Sequence, residues 1–150
     1  MNHVLIAAAV SWTVAQLAKT ALAFRVGKGF QPRLLFSSGG MPSSHSAFVS
    51  ALATGVAIVD GVNSVTFAIS AGLALVVMYD ATDVRHSVSR QSIIINRIVA
   101  EIRLGRPMTE LRSDLKELVG HTPFQVYVGS AIGIAIACLW MLLFLQRWGM

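Results

Sequence analysis

Residues 124–145, FQVYVGSAIGIAIACLWMLLFL, form a run of 22 residues without a charged side chain. A helix needs about 20 mostly apolar residues to cross the hydrocarbon core of a bilayer. This run therefore predicts a transmembrane helix. The composition agrees, because 55% of the 150 residues are hydrophobic and only 13% are charged, whereas about 25% are charged in an ordinary soluble domain.

Three further apolar runs occupy residues 4–24, 47–59 and 65–79. The two middle runs are short, and their length alone fits either a bilayer span or a buried core helix. Both are rich in Ala, Gly, Ser and Thr, and such small residues favour tight helix packing inside a bilayer. We therefore predict an all-α fold, a compact four-helix integral membrane bundle, forming a single domain over residues 1–150.

The charge and cysteine content exclude several classes of protein. The net charge is +5, but the apolar content is too high for a disordered basic tail, so nucleic acid is not an expected partner. The chain has one cysteine, and both a disulfide framework and a cysteine-built metal site need at least two. Cys138 lies in an apolar run, where we interpret it as a small hydrophobic residue.

The basic residues divide unevenly between the two sides of the predicted bundle. If all four runs cross the membrane, the segments 25–44 and 80–123 share one side, and the chain ends and the turn 60–64 share the other. Lys and Arg in short loops mark the cytoplasmic side, which we therefore assign to the two long segments. The first side holds Arg25, Lys28, Arg33, Arg85, Arg90, Arg97, Arg103, Arg106, Arg112 and Lys116, and the second holds only Arg147.

Two short helices are expected within the longer of these segments. Residues 89–104 place apolar and charged side chains on opposite faces, a pattern typical of an amphipathic helix lying in the membrane interface. Residues 108–119 form a second, more charged pattern that ends before Gly120.

The first apolar run contains Gln16 and Lys19. An ionisable residue inside a membrane span is by default a candidate functional residue. Lys19 lies near the end of its run, so the alternative is that its side chain simply snorkels to the headgroups. An N-terminal signal peptide is a poor fit, because Met1 to Val4 carry no Lys or Arg.

Residues 37–46, SSGGMPSSHS, combine glycines, serines and His45 at the start of an apolar run. Glycines let the backbone approach a ligand, and Ser43 or Ser44 can cap the following helix, whose N-terminus favours an anion. The pattern predicts a phosphate-like ligand. The alternative is that the segment is only a turn and a helix cap.

Residues 120–125, GHTPFQ, place a second histidine at a helix start. Thr122 suits the N-cap, Pro123 the first helical position, and Gln125 completes a capping box, which by itself explains Gln125. His121 is thereby held at a rigid helix start, either as a chemical group or as a polar interface residue.

These two histidine motifs resemble the divergent branch of the type 2 phosphatidic acid phosphatase and vanadium haloperoxidase superfamily. The resemblance runs from about Gln16 to Gly133. It implies a helical membrane protein whose relatives remove phosphate from lipid phosphates without a metal, through a phosphohistidine. The matching segments are GGMPSSHSA at 39–47, YDA at 79–81, Val84 with Arg85, Arg90 with Gln91, Asn96, KEL at 116–118 and GHTP at 120–123.

Carried over position by position, the resemblance implies that His45 protonates the leaving oxygen and that His121 is the nucleophile. Arg33, with Lys28 upstream, is the counterpart of the first, phosphate-binding motif. The chain departs from the better-known branch in having Ser43-Ser44 for Ser-Gly, Pro32-Arg33 for Arg-Pro, Leu115 for an Arg, and Gln125 for an Asp four residues after the nucleophile.

Phosphoester hydrolysis through a covalent intermediate needs a nucleophile, an acid and cations around the phosphoryl oxygens. We assign Arg33, Arg85 and the backbone of Ser43 and Ser44 to that cradle, because the arginine fork donates two aligned hydrogen bonds to a phosphoryl group. Asp80 or Asp83 either orients a histidine ring or pairs with Arg85. The remaining substrate-binding candidates are Lys28, Asp80 and Lys19.

The four histidines show no HxxxH or HxxEH pair, so neither a metal nor another cofactor is expected, and no GxSxG elbow indicates a serine hydrolase. An active face at the membrane surface, among ten basic residues, suits an anionic lipid phosphate such as phosphatidylglycerol phosphate, phosphatidic acid or a prenyl diphosphate.

Two alternatives from other classes stay open. One is a catalytically inactive lipid-binding or structural subunit of a membrane assembly. The presence of Gln125 in place of an acid supports this alternative. The other is a small transporter with Lys19 and Asp80 on a permeation path. Membrane lipids are expected partners in every case, and the small size of the bundle favours a homodimer or a larger complex.

Overall fold

The structure, a computed structural model, describes residues 1–25, 40–84, 91–95 and 121–148, and every regular element among them is helical. The chain order is α1 (His3–Arg25), α2 (Ser44–Asp60), α3 (Val65–Tyr79), a π-helical turn that continues α3 (Asp80–Val84), and α4 (Pro123–Trp148). Each of the four apolar runs falls within one of these helices, so the predicted all-α class is confirmed.

Local sequence explains where the helices begin. The Ser43 side chain accepts a hydrogen bond from the Ser46 amide at 3.4 Å, and Ser64 does the same for the Phe67 amide at 3.1 Å. These serines satisfy amides that the first helical turn leaves without a carbonyl partner. Gly61 ends α2 with a φ of 84°, a conformation that glycine adopts at low cost.

Helix α2 lies at the centre and packs against α1, α3 and α4. Its contact with α1 and α4 is built on the fully buried Ala8, Ala51 and Ala137, with Phe48 and Leu52 packed against them. Alanine at a helix contact brings two backbones close together, which is how helices associate where lipid removes the hydrophobic driving force. The small residues that suggested tight packing are therefore at the contacts themselves.

The closest approach joins α4 to the start of α2. A Cβ built on Gly129 would overlap the Ser43 carbonyl oxygen, and a Cβ on Gly133 would overlap the Ala47 carbonyl oxygen. Gly129 and Gly133 form a GxxxG pair, spaced so that both glycines face the same neighbour. Only glycine at these two positions lets the two backbones touch.

The ends of the helices pair as the alternating topology requires. At one end the His121 amide donates to the Ala81 carbonyl at 3.1 Å, so the end of α3 meets the start of α4. At the opposite end the rings of His3 and Phe144 stack with centroids 3.3 Å apart. The two long segments that sequence analysis placed together are thus attached to the same end of the bundle.

Three of the helical segments are long and apolar enough to cross a membrane, and their bounds are His3–Arg25, Val65–Asp83 and Pro123–Phe144. Helix α2 is shorter, with 17 residues, or about 25 Å at 1.5 Å per residue. The outward faces are apolar and exposed, as Ile69, Leu75 and Leu143 illustrate. Three of the four predicted spans are therefore supported by length and composition.

The two predicted interfacial helices lie almost wholly outside the described residues. Only residues 91–95 of them are described; these are helical, with Ser92 buried and the three isoleucines that follow exposed.

Replacing Gly133 by alanine is expected to destabilise the bundle, because the new methyl group must push apart two backbones. Overpacking of this kind costs about 1–3 kcal/mol. The matched control is Gly72→Ala in α3, where a Cβ meets nothing within 4 Å. Thermal unfolding in detergent, followed by circular dichroism, should show a lower midpoint for Gly133→Ala only; equal midpoints would contradict the contact.

Candidate functional site

His121 lies immediately before α4 and is held there by its backbone. Its amide donates to Ala81 in the π turn, and its side chain is 4% exposed. A π turn is an uncommon element that occurs frequently at functional sites. Here it carries the carbonyl that anchors the second histidine motif to the end of α3.

The orientation of the His121 ring is set by Gln125, one helical turn later. The ring Nδ1 lies 3.0 Å from Gln125 Oε1, and the Thr122 amide donates to the same oxygen at 3.3 Å. The backbone amide of Thr122 can only donate, so the Gln125 side-chain atom that it contacts must be the acceptor oxygen. The same oxygen faces Nδ1 of His121, and Nδ1 must therefore carry the proton. In the neutral imidazole the lone pair is then on Nε2.

Gln125 also connects the two histidine motifs. Its backbone carbonyl accepts a hydrogen bond from the Ser43 amide at 3.1 Å, while Gly129 lets the Ser43 backbone approach α4. His45 follows two residues after Ser43, in the first turn of α2, and is exposed. The motifs that sequence analysis singled out separately therefore lie at the same end of the bundle.

The start of α2 has the features of an anion site. Ser43 is the N-cap, and the positive end of the helix dipole lies at this point. The Ser44 side chain is 1% exposed, and its Oγ has no hydrogen-bond partner among the described residues. A buried hydroxyl of this kind costs free energy unless a ligand or water satisfies it.

Lys19 is buried at the same end. Its side chain is 3% exposed, and its Cγ and Cδ atoms lie 3.5 Å from the position of a Cβ on Gly40. Gly40 has a φ of 94°, which L residues with side chains rarely adopt. The lysine therefore packs against the glycine loop that precedes His45, and it does not extend to the outer surface as the snorkelling alternative requires. Gln16, one turn earlier, is also buried.

The acidic candidates take other positions. Asp80 is partly buried next to Ala81, and Asp83 is exposed and interacts with the Tyr79 hydroxyl. The partner of His121 Nδ1 is the Gln125 side chain. Lys28, Arg33 and Arg85 lie outside the described residues. Within the described parts of the chain no three His, Cys, Asp or Glu side chains cluster as metal ligands do.

Sequence reasoning missed the second role of Gln125 and the glycine pair. It explained Gln125 as a capping-box residue, which the hydrogen bond from Thr122 confirms, but the same oxygen also holds His121. Four-residue spacing on a helix brings two side chains together, so the spacing from His121 to Gln125 was the signal. The GxxxG pattern at Gly129 and Gly133 was likewise visible in the sequence.

These observations define a class of protein, namely a membrane-embedded helical protein with two histidine motifs at one end. The model of the divergent PAP2 family matches residues 1–136, and the chain belongs to this family. It is a membrane protein with transmembrane helices, and it contacts membrane lipids.

The chain is similar to a protein of Bacillus subtilis (strain 168) named uncharacterized membrane protein YuiD. The two are 38% identical over 144 residues, which cover 90% of this chain and 91% of the relative. No solved structure matches the chain.

Replacing Gln125 by leucine is expected to release the His121 ring, because the acceptor for Nδ1 is removed. The two hydrogen bonds lost are each worth about 0.5–1.5 kcal/mol. Long-range ¹H–¹⁵N spectra of the His121 side chain should show one neutral tautomer, protonated at Nδ1, in the parent protein and a tautomer mixture in the variant. Gln125→Glu keeps an acceptor oxygen and is the matched control. An unchanged tautomer in Gln125→Leu would contradict the assignment.

Proposed function

We propose that this protein is a metal-independent phosphatase that hydrolyses a lipid phosphate through a phosphohistidine. The observation that carries the proposal is the double connection through Gln125. Its side chain holds Nδ1 of His121, and its backbone carbonyl holds the N-cap of the helix that carries His45. One residue thus connects the two segments that carry the imidazoles proposed for the chemistry.

In the proposed reaction, Nε2 of His121 attacks phosphorus while the bond from phosphorus to the lipid oxygen breaks. His45 transfers its proton to that leaving alkoxide, which departs as the lipid alcohol. A water molecule then attacks the phosphohistidine, with His45 accepting its proton, and the phosphorus–nitrogen bond breaks to give inorganic phosphate and free His121. Both protonation states are restored at the end of the cycle.

The charge of the phosphoryl group requires cations and amide donors. Among the described residues, Lys19 and the start of α2 with Ser43 and Ser44 serve this purpose. We assign Arg33, Lys28 and Arg85, from the sequence, to the same cradle. The positive charge of Lys19, which lies beside the glycine loop, attracts a phosphoryl anion.

The departure at Gln125 changes the electrostatics of the nucleophile and leaves its orientation intact. An amide oxygen accepts the Nδ1 proton as a carboxylate does, but it carries no charge to stabilise an imidazolium. His121 is therefore kept neutral more readily than beside an acid, and a neutral ring is the form that attacks phosphorus. Gln125, which lacks the acid of the better-known branch, is therefore compatible with catalysis.

We further propose that all four helices cross the bilayer, with the site on the cytoplasmic side. The distribution of basic residues supports this orientation. The substrate is then an anionic lipid made on that leaflet, such as phosphatidylglycerol phosphate, phosphatidic acid or a prenyl diphosphate.

Phosphate release by the purified protein, in chelator and with a panel of lipid phosphates, tests this function. We expect His121→Ala to reduce kcat by at least about 10³-fold, as removal of a nucleophile does, and His45→Ala by about 10²–10⁴-fold. His3→Ala is the control, because His3 stacks on Phe144 at the other end of the bundle. Equal rates in all proteins would eliminate the assignment, and substrate binding without any release would instead indicate the inactive lipid-binding subunit.

Lys19→Met separates a binding role from a packing role. Methionine retains an apolar stem against Gly40 and removes the charge. If Lys19 binds phosphate, a charge-assisted hydrogen bond worth about 1.5–3 kcal/mol is lost, and kcat/KM falls about 10- to 100-fold. The unfolding midpoint of Lys19→Met is measured alongside, because a lower midpoint would show that the substitution disturbs packing as well as phosphate binding. An unchanged kcat/KM would show that Lys19 is structural.

A further inference from the structure

A groove of about 690 Å³ runs between the end of α3, with its π turn, and the start of α4. Its volume is typical of small-molecule sites, which measure about 300–1,000 Å³. Most of its lining is apolar. The described residues that line it are Leu75, Val76, Met78, Tyr79, Asp80, Thr82, Val126 and Tyr127.

The groove opens on the outer surface of two segments that are long and apolar enough to span a membrane. Leu75, Val76 and Tyr79 are each about two-thirds exposed, and Tyr127 is 72% exposed. The chain has two tyrosines, and both lie at this groove, near the end that carries the candidate site. Tyrosine favours the level of the lipid headgroups, so the groove begins at the interface and continues toward Leu75, inside the membrane.

The polar end of the groove is continuous with the candidate site. Asp80 and Thr82 flank Ala81, whose carbonyl receives the His121 amide. On the opposite wall, Val126 follows directly after Gln125, which holds the His121 ring. A molecule whose phosphate reaches His121 therefore has this groove as a neighbouring path into the hydrocarbon.

We propose that the groove binds one hydrocarbon chain of the lipid phosphate substrate and so selects for long-chain substrates. This rests on the proposed function for the position of the phosphate. The dimensions favour a single chain over a helix of a second copy. A helix is about 10–12 Å wide, and a volume of 690 Å³ would hold only about one and a half turns of it.

Photocrosslinking tests the occupant directly. The probe is phosphatidic acid that carries a diazirine within one acyl chain. It is incorporated, together with the full-length protein, into nanodiscs of phosphatidylcholine. We expect labelled peptides from the end of α3 and the start of α4, with labelling reduced at least fivefold by excess unlabelled phosphatidic acid but not by added phosphatidylcholine.

Leu75→Trp fills the groove and should abolish this competed labelling. Ile69→Trp is the matched control, because Ile69 is a similarly exposed α3 residue outside the lining. The kinetic counterpart is the ratio of kcat/KM for long-chain phosphatidic acid to that for a water-soluble glycerol phosphate, which should fall at least tenfold in Leu75→Trp only.

The labelling experiment is repeated with His121→Ala, which keeps the groove and lacks the proposed nucleophile. Both proposals expect competed labelling in this variant together with loss of phosphate release. Competed labelling of the parent protein without any phosphate release would overturn the proposed function and leave the groove assignment standing. Labelling that phosphatidylcholine competes equally would show ordinary membrane contact and overturn the groove proposal. Disulfide crosslinking between two copies of a Leu75→Cys variant would also overturn it and indicate a second copy as the occupant.

Discussion

The close contact between the backbone of α4 and the start of α2 determines the rest of the arrangement. Gly129 and Gly133 allow the carbonyls of Ser43 and Ala47 to approach where any side chain would overlap them. Once α4 lies this close, the Ser43 amide reaches the Gln125 carbonyl. Two segments far apart in the chain are then joined by a backbone hydrogen bond, which depends on chain geometry more than on side-chain identity.

The hydrogen bonds of Gln125 show how a neutral residue can support a histidine. The capping hydrogen bond from Thr122 fixes which amide atom is the oxygen, and that oxygen in turn fixes the proton on Nδ1. The orientation of the ring is therefore coupled to the start of α4, a rigid element. A carboxylate at this position would add charge stabilisation, whereas the amide supplies direction alone.

Three buried polar residues lie at the end of the bundle that carries the two histidine motifs. Lys19, Gln16 and Ser44 are all at least nine-tenths buried, in a bundle whose tightest helix contacts are made by alanine and glycine. Polar groups removed from water destabilise a protein unless they are satisfied, and in membrane proteins such residues are commonly retained for function. Their position beside the two histidine motifs distinguishes this end of the bundle from the other, where an aromatic stack of His3 and Phe144 closes the helices.

Sequence alone determined the helical class, the four apolar segments and the starts of α2 and α4, where both histidines lie, because each of these depends on neighbours within one or two turns. It did not determine whether Lys19 is buried or at the surface, since that depends on Gly40 in the next segment. Nor did it reveal that the Gln125 oxygen faces His121, or that the glycine pair meets the backbone of α2. These contacts depend on how the helices approach one another. Local propensity does not encode that approach, so only the packed tertiary structure decides it.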